Sequence, residues 1–563
     1  MRFHHLLLAV SLALAPLLAW GQAASVPFEV RISVDAAKAT GELKPIWRFF
    51  GADEPNYVTM KDGRKLMAEL GQLSPGNVYF RAHSLLSSGD GTPAFKWGST
   101  NAYTEDKDGK PVYDWSVVDR IIDTQLARGV HPYLQLGFMP EAMSSAPPGT
   151  PYQHSWRPGF AYELIAGGWQ APPRDYAKWE ELAYQWTRHN LERYGRDELR
   201  KWYFEVWNEP NSTHYWAGTP DQFYKLHDHA VAGIRRAFPE ARVGGPDVAG
   251  SGGAFMDGFL KHVVSGTNHA TGTTGTPTDF LAFHAKGSPR FVDGHVRMGI
   301  TNHLMAVDKG FAKIAAVAEL KSRPIVIGES DPEGCAACPG AQNAYRNGTM
   351  YSSYTAASFS RIWQLAERHG VNLEGALTWA FTFEDQPWFA GYRQLASNGV
   401  DLPVMNMFRL FAQLDRQGVS ATSSAQIGLD DIMSKGVRGA ADVGVLATRG
   451  PGGRLAILAW HYHDDDVAGP DAAVTLALNG LGAGAPRKLR QWRVDQVNGN
   501  AFTAWQAMGA PQSPDLKQAQ ALEAAARMVP ADLAPPAIRN GRAELHFSLP
   551  RQGVTLLILE AAP

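Results

Sequence analysis

Two glutamates are set apart by their positions. Glu209 ends the run Tyr203-Phe-Glu-Val-Trp-Asn-Glu209, and Glu329 lies at the close of Pro324-Ile-Val-Ile-Gly-Glu-Ser330. Each run is a short apolar stretch of strand-forming residues with a carboxylate at its end or one residue before it. Two carboxylates brought into one pocket can divide acid–base work. One, protonated, donates to a departing oxygen, while the other, ionised, meets an electron-poor carbon. Four further groups fall at strand-end positions of the same kind: His83, Asn208, His284 and Trp379, with Lys286 two residues beyond His284. These five are the candidates for binding a substrate beside the pair.

The elements that must position them follow from the pattern between residues 47 and 381. Eight β-rich runs occur there, at 47–51, 77–83, 131–137, 203–209, 242–246, 279–285, 324–330 and 375–381. Their near-continuous apolar character suits parallel strands buried on both faces. Helical periodicity fills the gaps. Asp114 is placed to cap a helix carrying Trp115, Val118, Ile122 and Leu126, and Pro173 precedes a longer one with Tyr176, Trp179, Ala183 and Trp186. Strand and helix alternating eight times predict an α/β fold, a (β/α)8 TIM barrel. The competing arrangement is an open doubly wound sheet, but no Gly-rich phosphate turn follows the first strand. In a barrel the C-terminal strand ends form the active face. Glu209 after the fourth strand and Glu329 in the seventh would then share one pocket, as cleavage of a glycosidic bond requires.

The texture changes after about residue 415. Val443–Thr448, Leu455–His461, Ala473–Leu478 and Val554–Leu559 read as strands between Gly, Pro and Asp turns, an accessory all-β sandwich over 416–563. The 25–45 segment, with Phe28–Val34 alternating in the same way, is expected to join that sandwich, leaving 46–415 as the barrel. The Ala-, Pro- and Gln-rich stretch 505–543 reads as a surface insertion. His461-Tyr-His463-Asp-Asp-Asp466 has the composition of a metal site but the setting of a solvated turn. The chemistry proposed for the barrel calls for no metal and no cofactor.

Composition narrows the function classes. A net charge of −2 with acids and bases interspersed gives no footprint for nucleic acid or for an anionic membrane surface. The 17 tryptophans supply flat apolar faces that suit sugar rings, or equally a packed core. Arg2, the apolar run Leu6–Leu18 and the small residues near Ala23-Ala24 read as an export signal over 1–24, too short to span a bilayer. The expected location is periplasmic or secreted. Cys335 and Cys338 are the only cysteines, and in that setting they read as a tight local disulfide rather than a redox or zinc pair.

The stretch from Pro172-Pro-Arg-Asp-Tyr-Ala-Lys-Trp-Glu-Glu-Leu182 through Arg193-Tyr-Gly195 to Lys201-Trp-Tyr-Phe-Glu-Val-Trp-Asn-Glu-Pro-Asn211 resembles glycoside hydrolase family 39. Further likeness runs from Phe80-Arg-Ala-His83 through Tyr133–Pro140 and Asp279–His284 to the eighth strand. The family contains β-xylosidases and α-L-iduronidases. The resemblance implies a retaining mechanism, with Glu209 as acid/base, Glu329 as nucleophile and Asn208 on the sugar 2-hydroxyl. Trp379 would floor the sugar ring. One departure concerns the substrate. Many members of the larger clan carry a Tyr two residues after the sixth-strand His, whereas here the chain reads His284-Ala-Lys286, which is similar to the iduronidase branch. That lysine would bind a substrate carboxylate, or pair with Asp331 or Glu333.

The reading is an exo-acting β-D-xylosidase on short xylooligosaccharides, with α-L-arabinosidase side activity. Its rivals are an iduronidase-like uronidase and a non-catalytic carbohydrate-binding protein on the same fold. The expected partner is the oligosaccharide, with no nucleic acid and no membrane. Association into a homo-oligomer is left open.

Overall fold

The computed structural model describes residues 26–93, 98–150, 152, 167–379, 381–481 and 486–561. The expected export signal lies outside them. Among the described residues no helix is long and apolar enough to cross a membrane.

Eight parallel strands form the barrel. They are Phe49–Ala52, Val78–Ala82, Val130–Leu136, Tyr203–Val206, Arg242–Val248, Phe280–Lys286, Pro324–Asp331, and an eighth in two pieces, Asn372–Ala376 and Thr378–Trp379. Pro324–Asp331 pairs with the first piece of the eighth strand. The second piece pairs with the first strand, Thr378 opposite Phe50 and Trp379 opposite Gly51. That closure makes a barrel and excludes the open sheet. A helix follows each strand on the outside, the eight running from Lys61–Leu73 to Pro403–Phe411. Tyr176–Tyr194 is capped by Asp175, whose carboxylate accepts from the N–H of Ala177 at 2.8 Å. Asp114 acts similarly but sits just outside the cap position expected of it. Trp115 holds that position, and Asp114 accepts from the N–H of Ser116 at 2.9 Å.

Successive strand residues face opposite ways, and the burial is double-sided. Phe80 joins the shell between strands and helices, while Tyr79 faces the lumen. The lower lumen is a cluster of rings. Phe49 stacks on Tyr79 at 4.9 Å, Tyr133 stacks on Tyr203 at 4.9 Å, and Phe280 meets Tyr203 edge-on at 5.1 Å. Each such pair contributes roughly 0.5–1.5 kcal/mol beyond its area.

The accessory region is one hydrogen-bonded sheet of nine strands. Leu489 near one end of the strand order and Leu549 at the other share a core with Val30, Ile32 and Ile457, so the sheet folds over on itself to make the sandwich. The N-terminal strand Phe28–Glu42 lies between Gln417–Ser423, antiparallel to it, and Ala472–Asn479, parallel to it. Strand Leu455–Tyr462 is buried on both faces. Leu455, Ile457 and Ala459 enter the sandwich core, whereas Ala456, Leu458, Trp460 and Tyr462 pack into the core that the barrel helices line.

Two readings of the tail need correction. The 505–543 stretch is not merely a surface insertion: helix Leu516–Ala526 buries Leu522 and Ala526, and Asn406 of the last barrel helix donates to the carbonyls of Ala526 and Gly499. Its small side chains let a helix approach closely, which composition alone does not distinguish from a loop. The 461–466 segment is not a solvated turn either. His461, His463 and Asp464 are buried, and Asp465 takes the guanidinium of Arg297 at 2.5 Å. Arg297 belongs to the hairpin Arg290–Arg297, which follows the sixth barrel strand, so the acidic turn joins sheet to barrel.

Candidate active site

The fourth strand ends at Val206, three residues before the expected carboxylate. Trp207 and Glu209 both have positive φ, 71° and 43°, so the chain leaves strand geometry and turns Asn208 and Glu209 over the barrel mouth. Non-glycine residues rarely hold such conformations unless their surroundings fix them. Glu209 is fixed by its own N–H, which donates to the carbonyl of Asp247 at 2.9 Å. Glu329 lies within the seventh strand, where the pairing with the sixth shifts register between Ile327 and Glu329.

One carboxylate oxygen of Glu209, one of Glu329 and a ring nitrogen of His284 all lie within 4.8 Å of one another. The Glu209 side chain is 17% exposed and that of Glu329 8%. His284 stands between carboxylates: Nδ1 is 2.7 Å from Glu209 Oε1 and Nε2 2.8 Å from Asp247 Oδ2. Lys286 Nζ donates to Glu329 Oε2 and to Asp331 Oδ2, each at 2.5 Å. Of its two expected acidic partners Asp331 is therefore the actual one, and Glu329 is added. Glu333 instead takes Arg346 at 2.8 Å, and Arg393.

His83 Nδ1 is 2.7 Å from Asp53, and its ring lies 4.3 Å from that of Trp379. Trp379 is 3% exposed and carries the Arg81 guanidinium at 5.2 Å from its ring. Gly51 leaves the room it needs, since a Cβ there would meet the indole. Asn208 is fully buried, with Oδ1 accepting from Arg81 at 3.0 Å. The site residues read from sequence thus converge on one place. In the loop after the eighth strand, Glu384 accepts from the N–H of Asp62 at the start of the first barrel helix. Arg393 is buried between Glu333, Asp331 and the carbonyl of Trp379.

Arg81, Glu205 and Asp247 were not among the expected residues. Arg81 Nε donates to Glu205 Oε2 at 2.6 Å, and its other nitrogens reach Asp247, Asn208 and His83. The signal was present as alternation. Arg81 lies two residues before His83 and Glu205 two after Tyr203, on the lumen face of their strands. Asp247 escaped notice because the fifth strand runs to Val248, past the Gly-Gly-Pro at which the sequence pattern stops.

The charges determine protonation. Burial alone would push the Glu329 carboxyl up, but His284, Lys286, His83 and Arg81 outweigh it and hold it at about 2. Burial works against a charge on His284, yet Asp247 and Glu329 push it up to about 10. Burial, with help from Asp247, pushes the Glu205 carboxyl up against the pull of Arg81. Burial and the neighbouring Arg81 keep His83 low. Near neutral pH the mouth therefore holds an anionic Glu329 and an imidazolium at His284.

Among the described residues, one other group has the spacing of a cation site, Asp228 and His262 on two of the barrel's outer helices with His269 in the turn after the second. The lone pairs of Asp228 are already taken by His262, Thr276 and the N–H of His269. Cys335 and Cys338 are disulfide-bonded in the loop after the seventh strand. Arg346 donates to both of their carbonyls, at 2.7 and 2.9 Å.

Comparison with known proteins gives a consistent picture. The family described as glycosyl hydrolases family 39 matches residues 30–542. A β-xylosidase of Geobacillus stearothermophilus is 25% identical over 508 residues, 86% of each chain. An α-L-iduronidase of Mus musculus is 27% identical over 421 residues, 68% of this chain and 61% of that one. The solved structure of a monomeric β-xylosidase from Caulobacter crescentus superposes with a TM-score of 0.73 at 22% identity, covering 95% of this chain and all of that one, a likeness of fold.

Proposed function

The chain belongs to glycosyl hydrolases family 39, and from that premise we propose that it is a retaining exo-β-D-xylosidase acting on short xylooligosaccharides, with Glu329 as nucleophile and Glu209 as acid/base. The observation that carries the reading is the approach of the two carboxylates, whose nearer oxygens lie within 4.8 Å. Retaining enzymes hold their carboxyl groups about 5–5.5 Å apart, and inverting ones keep roughly 6.5–9.5 Å for a water.

In the first half-reaction an ionised Glu329 oxygen bonds the anomeric carbon while the bond from that carbon to the aglycone oxygen breaks. Glu209 delivers its proton to that oxygen. In the second, Glu209 takes a proton from water, whose oxygen bonds the anomeric carbon and releases Glu329. The more exposed Glu209 suits the group that must meet both aglycone and water, and the cation-ringed Glu329 suits the one that must stay ionised. Asn208, held by Arg81, is assigned to the sugar 2-hydroxyl, and Trp379 and His83 to the face of the ring. α-L-Arabinosides, similar in ring stereochemistry, are side substrates. The apolar run Leu6–Leu18 supports export within the same reading, with hydrolysis outside the cytoplasm.

The test is hydrolysis of an aryl β-D-xyloside by wild type and Glu209→Ala. Loss of on the order of 100-fold or more in the variant, partly restored by azide with formation of a glycosyl azide, is the expected result. Activity on an α-L-iduronide alone would overturn the substrate and keep the mechanism.

One observation favours that second reading: Lys286, matching the iduronidase-like pattern, is 18% exposed at the mouth. Its charge is engaged by two carboxylates, however, which leaves little for a uronate. Under the uronidase reading Lys286→Ala weakens acidic substrates far more than neutral ones. Equal loss on both removes it.

A further inference from the structure

Asp247 has no role in the mechanism as written, yet it touches the supports of both catalytic carboxylates. It lies at the end of the fifth strand, fully buried and at φ 53°. Its backbone carbonyl accepts the N–H of Glu209 at 2.9 Å. Its Oδ2 meets His284 Nε2 at 2.8 Å and the Arg81 guanidinium. Its Oδ1 rests against Gly328, the residue before Glu329, so closely that a Cβ at 328 would collide with it. That oxygen has no hydrogen-bond partner among the described residues.

We propose that Asp247 is the positioning residue of the acid/base: through its carbonyl it sets the backbone of Glu209, and through His284 it sets that residue's carboxyl. The proposal rests on the glycosidase reading above and extends it to a residue outside the reacting set. The chemistry of His284 carries the argument. An imidazole with a carboxylate oxygen on each nitrogen can donate in both directions only as imidazolium. The Asp247 carboxylate, 2.8 Å from the far nitrogen, stabilises that imidazolium and keeps the ring aligned on Glu209, 2.7 Å away. Other charged or titratable groups facing this couple are Arg81 from the second strand, Tyr133 from the third, Glu205 from the fourth and Glu329 from the seventh. Arg81 shares its charge between Glu205 and Asp247.

The experiment compares Asp247→Asn with wild type on two xylosides, one with a dinitrophenyl leaving group and one being xylobiose, across pH. Removing a fixed negative charge lowers the proton affinity of everything near it. Both limbs of the kcat/KM profile should therefore move to lower pH, by about one unit. Activity should fall on the order of 100-fold for xylobiose, which needs its leaving oxygen protonated, and by less than about tenfold for the dinitrophenyl xyloside. His284→Gln combined with Asp247→Asn should cost little more than His284→Gln alone. A uniform loss on both substrates with unmoved limbs would mean a merely structural role for Asp247 and would overturn the proposal.

A measurement independent of turnover and of the Asp247→Asn variant accompanies these. In nitrogen-15 histidine spectra of wild type, the resonance missing from His284→Gln should show both ring nitrogens protonated at pH 8. A neutral His284 there sinks the proposal. If instead the imidazolium is present but no glycoside is hydrolysed, the glycosidase reading fails and the Asp247–His284 couple stands.

Discussion

The floor and the mouth of the barrel are built from the same strands, two to four residues apart, and obey opposite rules. On the second strand Tyr79 belongs to the ring cluster, Arg81 to the charge network and His83 to the mouth, where its ring lies against Trp379. On the sixth, Phe280 and Ala282 give way to His284 and then Lys286. The floor has regular strand geometry and contacts that depend on shape. The mouth has non-glycine residues at positive φ and contacts that depend on charge. Packing stabilises the floor whatever the pH, whereas the mouth works only while its protons are correctly distributed. Arg81 lies between the two, stacked over Trp379 and ion-paired to Glu205 and Asp247, so it belongs to both.

Substitutions can separate the two regions. The largest expected effect is at the mouth: Glu329→Ala should lower kcat/KM by on the order of 10⁴-fold or more, a loss far larger than any accompanying change in stability, checked by kinetics and calorimetry on one preparation. Arg81→Met should break the separation. It leaves Glu205 and Asp247 buried without their cation, a loss of about 3–5 kcal/mol in denaturant unfolding, together with most of the activity. Its counterpart at the floor, Phe280→Leu, should cost about 1–2 kcal/mol and leave kcat and KM within roughly twofold. If Phe280→Leu impaired catalysis as strongly as stability, the two regions would not be separable.

The smallest effect is in the pH dependence of stability. Glu329 titrates at about 2 when folded against an ordinary 4.5, so its contribution is present above 4.5 and is lost as pH falls toward 2. His284 titrates at about 10 against 6.5, so its contribution is complete below 6.5 and is lost as pH rises through 10. The contribution of these two groups to the melting temperature should accordingly be greatest between about 4.5 and 6.5, and Glu329→Ala should remove its acid limb.

The barrel was legible because its strands are buried on both faces and leave long apolar runs, while period-two alternation marked the tail. The carboxylate pair was legible because strand ends are functional in this architecture. What escaped was set by tertiary placement. Nothing local distinguishes Asp247 from any aspartate in a loop until the fifth strand is seen to run past Pro246. Arg81 and Glu205 read as ordinary strand residues until closure of the barrel brings them within 2.6 Å. The acidic turn at 464–466 looked solvated because its partner, Arg297, is 168 residues away in the chain. Lys286 was readable as a residue but not as a partner, since its two expected acids lie within three residues of each other and only the fold chooses between them.

The strand Phe28–Glu42 is nearly the first described piece of the chain, yet its partners are Gln417–Ser423 and Ala472–Asn479. A ribosome extends a chain at roughly 5–20 residues per second, N-terminus first. The strand must therefore wait on the order of 20 seconds or longer before either neighbour exists. During that interval its exposed edges are open to pairing with another nascent chain. The alternating Glu29, Arg31 and Asp35 on its outward face put charge where such pairing would occur. The charged face that looks idle in the finished sheet thus has its most consequential period before the sheet exists, as a guard on an unfinished molecule.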